Sequence, residues 1–479
     1  MSNELPPDVL EQQLRRYYQR QHQVELTPEA TWQQVSSRLA APQESSVTMN
    51  DTSRAARQET VAQRQRAANP PRRGFVTSVA GIAAVILLVL FARTVFSNRP
   101  GTGSSTYHPT DALVLSSLDG VSMVTANDGW SVGSATTKTK AQVDANRLPA
   151  TVPLLFHYDG TAWQPVAAPS GLAGVALKTV AMGSAHDGWA GGGFDETLTS
   201  VGGPVDAQTN KSAVFIHYDG TAWHTVTVPQ TQNLTVKQIQ YTSSGDAWAV
   251  ATSANDGGQV AIIHEHAGTW QVVDVRTIGG FIAFGGLSMV SDSEGWVAIG
   301  STPSVSSGPF TTTFLQEHNG LWAAAVTLPS VVPVGITMLS ATDGWATVAS
   351  TNSNATALYH YNNGHWQQAD PAPTAADATI GPITLFDKTH GWLLFTRGLG
   401  ENSTSGLYTF DGTTWQDTHI TMHLDIKSAA FTSATDGWFV GDSTNGESLS
   451  VENWGSLIGH GYTFAHYQNG VVTESKPSK

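Results

Sequence analysis

The side chains with the clearest capacity for chemistry are histidines in the C-terminal three quarters of the chain. His264 and His266 alternate along a predicted strand, so both would point to one face and could share a metal ion. Glu265 is the one evident carboxylate nearby, and it lies on the opposite face. His157 and His217 recur in a common local pattern but belong to different repeats, too far apart to share a metal ion. The sequence therefore predicts no metal site.

Other routes to catalysis are also missing. The 479-residue chain has no cysteine, which excludes disulfides, thiolate metal ligands and a cysteine nucleophile. It shows no glycine-rich phosphate loop and no nucleophile elbow. We therefore expect no cofactor and assign no catalytic residue, and the sequence favours a binding function over catalysis.

Most of the sequence is a repeat built around the tripeptide Asp-Gly-Trp. Seven copies or near copies follow one another at intervals of 46 to 59 residues. A period of this length is typical of units that stack or form a ring, because one unit alone cannot bury its apolar face. The repeat tryptophans, to which we assign a structural role, are Trp130, Trp189, Trp248, Trp296, Trp345, Trp392 and Trp438.

Each repeat predicts four short strands. A β-rich run precedes the tripeptide, and a small, apolar run follows it. A third run ends in a glycine turn, as at Gly160, and a tryptophan such as Trp163 usually opens the fourth run. Four antiparallel strands repeated seven times are the signature of an all-β, seven-bladed β-propeller. We expect the repeat tryptophans to fill the gaps within and between its blades.

The pairing of Asp-Gly-Trp with Asp-Gly-x-x-Trp, as in 159–163, resembles the Asp-box or BNR-repeat propellers. That family includes sialidase-like and photosystem II assembly-factor-like proteins. The resemblance covers about Ala112 to Lys479. Asp159 and Gly160 are adjacent here, whereas the usual Asp box has a residue between them. The Asp box is structural in that family, so the resemblance implies the fold and no activity.

The same resemblance raises one enzymatic alternative, a sialidase-type glycoside hydrolase. Those enzymes hold the substrate carboxylate with three arginines, and this chain has three after residue 100: Arg147, Arg276 and Arg397. The family's enzymes have six blades, however, and no matching arginine motif surrounds these residues. This alternative requires the arginines to converge with an acidic pair in the central mouth of the ring.

Charge divides the chain into two parts. Residues 1–74 carry ten arginines and eight acids, whereas residues from 101 onward carry 12 basic and 30 acidic residues, a net charge of −18. Such an acidic propeller lacks the basic footprint that nucleic acid requires. No nucleic-acid partner is therefore expected.

One long apolar stretch, Phe75–Phe96, predicts a transmembrane helix. Its 22 residues at about 1.5 Å each would span roughly 33 Å, enough to cross a bilayer. Six arginines crowd its N-terminal flank, against only Arg93 and Arg99 on the other side, which places the N-terminus in the cytoplasm and the propeller outside. The predicted domains are a short helical cytoplasmic segment (1–43), a disordered arginine-containing linker (44–74), the transmembrane helix (75–97), a tether (98–111) and the propeller (112–479).

The connections between strands distinguish the two faces of the predicted ring. Both tight turns of each repeat fall on one face, so the longer connections collect on the other, where binding residues tend to lie. The longest ones join the second and third strands of repeats 1, 2 and 7, about 134–152, 194–212 and 442–460, which ring closure makes neighbours. The predicted ligand-binding residues on this rim are Lys138, Lys140, Arg147, Asp195, Glu196, Asp206, Glu452, Trp454 and His460.

These features predict a cell-surface binding or scaffold protein that recognises a protein or glycan through the long-loop face of an extracellular propeller. Besides the hydrolase, a third hypothesis is a transmembrane regulator whose propeller senses an external ligand. Its layout resembles that of membrane-bound anti-sigma regulators, although the zinc-binding His/Cys pattern of many of them is absent. An ordered pair of cytoplasmic helices with an apolar docking face would favour the regulator.

Overall fold

Seven consecutive four-stranded antiparallel sheets form a seven-bladed β-propeller, as the repeat predicted. The computed structural model describes residues 113–137, 150–194, 212–253, 258–278, 280–302, 310–351, 355–369, 378–398, 403–443 and 462–475. The predicted transmembrane helix and the cytoplasmic segment lie outside these residues. No helix within the described part of the chain is long and apolar enough to cross a membrane.

The strands follow the chain within every blade, from the innermost first strand to the outermost fourth. Blades 1 and 2 contain β1 (Leu113–Thr125), β2 (Asp128–Thr137), β3 (Ala150–Tyr158), β4 (Trp163–Pro165), β5 (Val175–Ser184), β6 (Asp187–Phe194), β7 (Val214–Tyr218) and β8 (Trp223–Val226). Blades 3 and 4 contain β9 (Thr235–Tyr241), β10 (Ala247–Thr252), β11 (Gln259–His266), β12 (Thr269–Thr277), β13 (Phe281–Ser291), β14 (Glu294–Thr302), β15 (Thr311–His318) and β16 (Leu321–Pro329). Blade 5 contains β17 (Val331–Ser340), β18 (Asp343–Ser350), β19 (Thr356–Asn362) and β20 (His365–Gln368). Blades 6 and 7 contain β21 (Ala378–Leu385), β22 (Gly391–Arg397), β23 (Thr404–Phe410), β24 (Trp415–Asp417), β25 (Leu424–Ser433), β26 (Asp436–Ser443), β27 (Tyr462–Gln468) and β28 (Val471–Ser475).

The ring closes by packing of the first blade against the last, without a shared strand. Blade 1 is built entirely from residues 113–165, and blade 7 entirely from 424–475. At this closing seam Trp163 stacks on Phe464, with ring centroids 4.5 Å apart, and meets Trp438 edge-on at 5.3 Å. Large aromatic rings bury much apolar area and favour such stacked and edge-on contacts. Aromatic packing therefore holds a closure that no disulfide can reinforce in this cysteine-free chain.

The same contact recurs around the described ring. At six of the seven seams a fourth-strand tryptophan meets the repeat tryptophan of the preceding blade, with ring centroids 5.2 to 6.2 Å apart. At the seam between blades 6 and 7, Val472 stands in place of the fourth-strand tryptophan, and Trp392 stacks instead on Phe431 at 5.4 Å. The repeat tryptophans thus lie between blades.

The tripeptide opens the second strand and does not form the turn itself. In blade 1 the two-residue turn ends before Asp128, and Gly129 lies opposite Met123 of the first strand. A Cβ on Gly129 would overlap the Met123 sulfur, so the glycine makes room for a long side chain from the neighbouring strand. In blade 3 Ala247 replaces the glycine, and the opposite residue is Tyr241.

The first strands, whose free edges face the centre of the ring, are bonded to their neighbours through side chains. The N–H of Val121 donates to Ser428 Oγ of blade 7 at 3.2 Å, and the N–H of Met182 donates to Ser122 Oγ of blade 1 at 3.0 Å. Open strand edges otherwise present unpaired backbone groups. These bonds fix the inner wall on which the candidate site is built.

Candidate functional site

The described strands determine where the predicted rim is attached. All nine predicted ligand-binding residues fall in the connections 138–149, 195–211 and 444–461, outside the described residues. Each connection follows the second strand of its blade: β2, β6 or β26. Since β1 packs against both β25 and β5, the blades that carry them, 7, 1 and 2, are consecutive in the ring. We call the face with these connections the long-loop face, and the opposite face, with the first-to-second and third-to-fourth strand turns, the tight-turn face.

Charged side chains interrupt the first strands of these same blades, a feature that sequence reasoning missed. The first strands of blades 4, 5 and 6 contain no charged residue. Those of blades 7, 1, 2 and 3 do, and β26 adds one aspartate beside them. We name this group the charged arc; its members are Asp119, Lys178, Lys237, Asp425, Lys427 and Asp442.

A β-bulge displaces four members of the charged arc from the regular ladder. The first-strand register slips at Asp119, Lys178, Lys237 and Lys427, each of which is skipped in the pairing with the second strand. An extra residue in a bulge is left unpaired and can re-aim its side chain. The corresponding positions in blades 4 and 5 hold Gly285 and Val334. At this bulge position the inner wall of the ring is therefore charged in blades 7, 1, 2 and 3 and uncharged in blades 4 and 5.

Ion pairs link the members of the arc. Lys427 Nζ lies 2.7 Å from Asp425 Oδ2 and 3.7 Å from Asp442 Oδ2. Lys178 Nζ reaches Asp119 Oδ2 across the seam between blades 1 and 2 at 3.3 Å. Burial opposes the charge of Lys427, but the two neighbouring aspartates outweigh it and raise the pKa of its ammonium. Burial raises the pKa of the Asp442 carboxyl, and Lys427 offsets part of that rise.

The arc can bind charged groups. Acids and lysines alternate from blade 7 to blade 2 in the order Asp425, Lys427, Asp119, Lys178. Such an arrangement offers both hydrogen-bond donors and acceptors to a ligand. Within the described residues no group of three or more histidine or acidic side chains is placed to hold a metal ion.

Histidines of the third strands are hydrogen-bonded to acids of the repeat motif. His264 Nε2 and His266 Nδ1 both donate to Asp246, at 3.1 and 2.8 Å. This is the carboxylate partner that the sequence did not reveal, and its hydrogen bond raises the pKa of His266. His157 likewise donates to Asp128 at 2.8 Å. The pairs lie at the tight-turn ends of their strands, away from the predicted rim.

The two described arginines do not meet in the central mouth. Arg276 lies on β12, the outermost strand of blade 3, where its Nε donates to Asp274 at 2.6 Å. Arg397 ends β22 in blade 6, and its Nη2 donates to Asp417 at 3.0 Å. Arg147 lies outside the described residues. The convergence that a sialidase-type site requires is therefore not met by Arg276 and Arg397.

No protein-family model matches the chain, and no curated protein sequence matches it. Among solved structures it is similar to YCF48 bound to D1 peptide, at 16% identity over 71% of this chain and 96% of that chain, with a TM-score of 0.44. It is also similar to a polysaccharide lyase of family PL25, an ulvan lyase, at 10% identity over 76% of this chain and 97% of that chain, with a TM-score of 0.42. A Mycobacterium tuberculosis puromycin-hydrolyzing peptidase matches at 11% identity over 78% of this chain and 56% of that chain, with a TM-score of 0.45. At these identities the function has to be argued from the chain's own residues.

Proposed function

We propose that this chain is a cell-surface binding protein whose propeller recognises a protein partner at the long-loop face. The charged arc carries this proposal. It occupies the first strands of blades 7, 1 and 2, which also bear the three longest second-to-third strand connections, and extends to blade 3. Seven equivalent blades would offer seven equivalent sites. The long connections of the rim and the charged first strands of the inner wall depart from the repeat on the same blades. This coincidence favours a single site there.

The chemistry of the arc favours a protein partner over a glycan. Glycan recognition commonly uses exposed aromatic rings for stacking, but the described tryptophans are buried or half-buried between blades. The arc instead presents alternating acids and lysines, which complement the charged side chains of a polypeptide. Complementary charges fix the register and orientation of such a partner.

The predicted membrane anchor supports the location. The largely apolar stretch Phe75–Phe96, 22 residues long, precedes the propeller, and the arginine bias around it favours an orientation with the propeller outside the cell. A single-pass anchor followed by the tether 98–111 would hold the long-loop face within reach of partners at the cell surface.

The proposal is tested with the full-length chain in mild detergent. Proteins that cross-link on cells to the wild-type chain are compared with those that cross-link to the variant Lys178→Glu, which places an acid against Asp119. The binding of each candidate partner to both chains is then measured with purified components. Lys388→Glu is the matched control, because Lys388 also pairs with an aspartate but belongs to the tight-turn face.

We expect the partner to bind Lys388→Glu normally and Lys178→Glu about 30-fold or more weakly, the usual cost of breaking one hydrogen-bonded charge pair at an interface. A chain in which 138–149, 195–211 and 444–461 are replaced by short glycine turns should also lose the partner. Equal binding by this chain and the wild type would overturn the proposal.

A further inference from the structure

Two buried glutamates occupy positions where the other blades carry an aromatic ring. Glu265 lies opposite Trp270, and Glu317 lies opposite Trp322, in the third-to-fourth strand pairing of blades 3 and 4. The equivalent residues of the remaining blades are Tyr158, Tyr218, Tyr361, Phe410 and Tyr467. Each of those rings packs against the repeat tryptophan of the preceding blade, as Tyr218 does against Trp130 at 4.8 Å. Blades 3 and 4 therefore place a carboxyl group at a position that other blades use for seam packing.

Both carboxyl groups are poorly solvated. Glu265 is 5% exposed and Glu317 is 1% exposed. Oε1 of each accepts one backbone N–H from the following turn, from Gly268 at 2.5 Å and from Gly320 at 2.6 Å. Oε2 of Glu317 is buried without a hydrogen-bond partner among the described residues. A buried carboxylate with an unsatisfied oxygen favours its neutral, protonated form.

The surroundings of Glu265 are mainly acidic. Glu265 faces Asp246, which directly precedes β10, and Asp187 of blade 2, with His264 on its own strand as the one basic neighbour, and its charge in turn acts on Tyr241 of β9. Burial, and after it these two aspartates, raise the pKa of Glu265, against the lowering effects of the Gly268 N–H and His264.

Glu317 has both acidic and basic neighbours. It faces Glu294 of β14, with His318 on its own strand and His264 of blade 3 as basic neighbours. Burial and the charge of Glu294 raise the pKa of Glu317, while the Gly320 N–H and the two histidines lower it in part. The two sites therefore share their burial, a turn N–H donor and at least one nearby carboxylate.

We propose that Glu265 and Glu317 act as a proton-operated clamp, which tightens the seams of blades 2–3 and 3–4 when each carboxylate takes up one proton as the pH falls. Ionisation leaves a poorly solvated charge in each seam, and protonation removes it. The five seams with an aromatic ring at this position lack the group and should not respond. This inference concerns the stability of the ring and is independent of the proposed partner.

The sign of the effect follows from linkage. A pKa raised above the usual glutamate value of 4.5 means that the folded chain binds the proton more tightly than the unfolded chain. The stabilisation is fully present below that usual value and is lost as the pH rises through the folded pKa. Each unit by which the pKa is raised corresponds to about a tenfold change in the opening equilibrium.

The test is amide hydrogen exchange of the full-length chain at several pH values from about 5 to about 8, corrected for intrinsic exchange rates. In the wild type the third-to-fourth strand hairpins of blades 3 and 4 should be protected more strongly at the acidic end, by about tenfold for each unit of raised pKa. The hairpin of blade 5, which carries Tyr361, should show no such change. The double variant Glu265→Gln with Glu317→Gln keeps a carbonyl acceptor for each turn N–H. It should abolish the response of the blade 4 hairpin and reduce that of the blade 3 hairpin, where His266, whose pKa Asp246 raises, also titrates.

Two further variants keep the test decisive. Glu317→Tyr restores the residue type of the other blades and should also abolish the response of the blade 4 hairpin, even if a buried amide folds poorly. Glu474→Gln removes an equal charge from the exposed outer strand β28 and should leave the response intact. A blade 4 response of wild-type size that persists in the double variant, or one equally large in blade 5, would overturn the clamp.

Discussion

Gly188→Ala in blade 2 is expected to destabilise the propeller although it adds only one methyl group. Gly188 lies opposite Met182, and a Cβ at this position would overlap the Met182 sulfur and lie 2.6 Å from its terminal carbon. Met182 is half-buried and packs against the cluster that fills the seam between blades 1 and 2, so its side chain can move aside only by giving up part of this packing. Overpacking of this kind costs about 1–3 kcal/mol. Replacing glycine by alanine returns about 0.4–1 kcal/mol through the unfolded chain, which leaves a net loss of about 1–2 kcal/mol.

A double-mutant cycle isolates this contact. Met182→Ala alone removes half-buried packing and should cost about 2 kcal/mol, the lower end for truncation of a core methionine. In the Gly188→Ala background the same change also relieves the overlap, so the double variant should be more stable than the sum of the single losses predicts, by about 1–2 kcal/mol. Couplings of this size are usual for residues in direct contact.

The assay is urea unfolding of the full-length chain followed by tryptophan fluorescence, to which the neighbouring Trp189 contributes. Ala247→Gly in blade 3 provides the control, because Tyr241 there points its hydroxyl away to Asp187 at 2.8 Å and does not need a glycine. Removing that methyl group should cost about 1 kcal/mol. A neutral or stabilising Gly188→Ala, or strictly additive losses in the cycle, would refute the explanation of the repeat glycine.

Three further outcomes are expected. Trp163→Ala should cost about 3–5 kcal/mol and should increase amide exchange in blades 1 and 7 before blades 3 to 5, because the closing seam loses its stacked ring. Lys427→Met should destabilise the ring more at neutral pH than in acid, since burial already raises the pKa of Asp442 and the variant removes its cation; urea midpoints across the pH range would show the trend, and a pH-independent loss would contradict it. The Asp411 carboxylate accepts the N–H groups of Thr413 and Thr414, which lowers its pKa, so the stability it adds is present above the usual aspartate value and lost as the pH falls through the lowered one. Asp411→Asn should keep this turn and remove that acid dependence, measured by exchange of the two threonine amides.

The sequence predicted the architecture because the repeat states it seven times. Four runs and two turn signals per repeat fixed the number of blades, the order of the strands and the face of each turn, and the structure has them all. Strand ends were less accurate. Alternation of apolar residues fades before the backbone pairing does, so β2 continues to Thr137 and β3 begins at Ala150, inside the range expected for a loop.

The charged arc could not be found by the same reasoning. Asp119 and Lys427 meet only because the ring closes, and they come from the two ends of the propeller sequence. A charged residue within a strand breaks the alternation pattern, and only the observed bulges show that Lys178 leaves the ladder. An alignment of the repeats on their third strands would, however, have exposed Glu265 and Glu317 as exceptions in a column of aromatic residues.

The seam between blades 6 and 7 shows where the repeat is free to vary. His390 replaces the motif acid there, Thr409 stands at the histidine position opposite Trp392, and Val472 replaces the fourth-strand tryptophan. The short connection 418–423 joins these two blades covalently, so their separation gains little chain freedom.

The seam between blades 7 and 1 has no such connection. Its separation would release the whole ring, so non-covalent contacts alone must keep it shut. It has the full aromatic set, with Trp163 between Phe464 and Trp438, and Tyr158 against Trp438 at 4.8 Å. The aromatic packing is thus complete between blades 7 and 1, the one seam that no connection of the chain crosses. It is incomplete between blades 6 and 7, where the connection 418–423 crosses the seam.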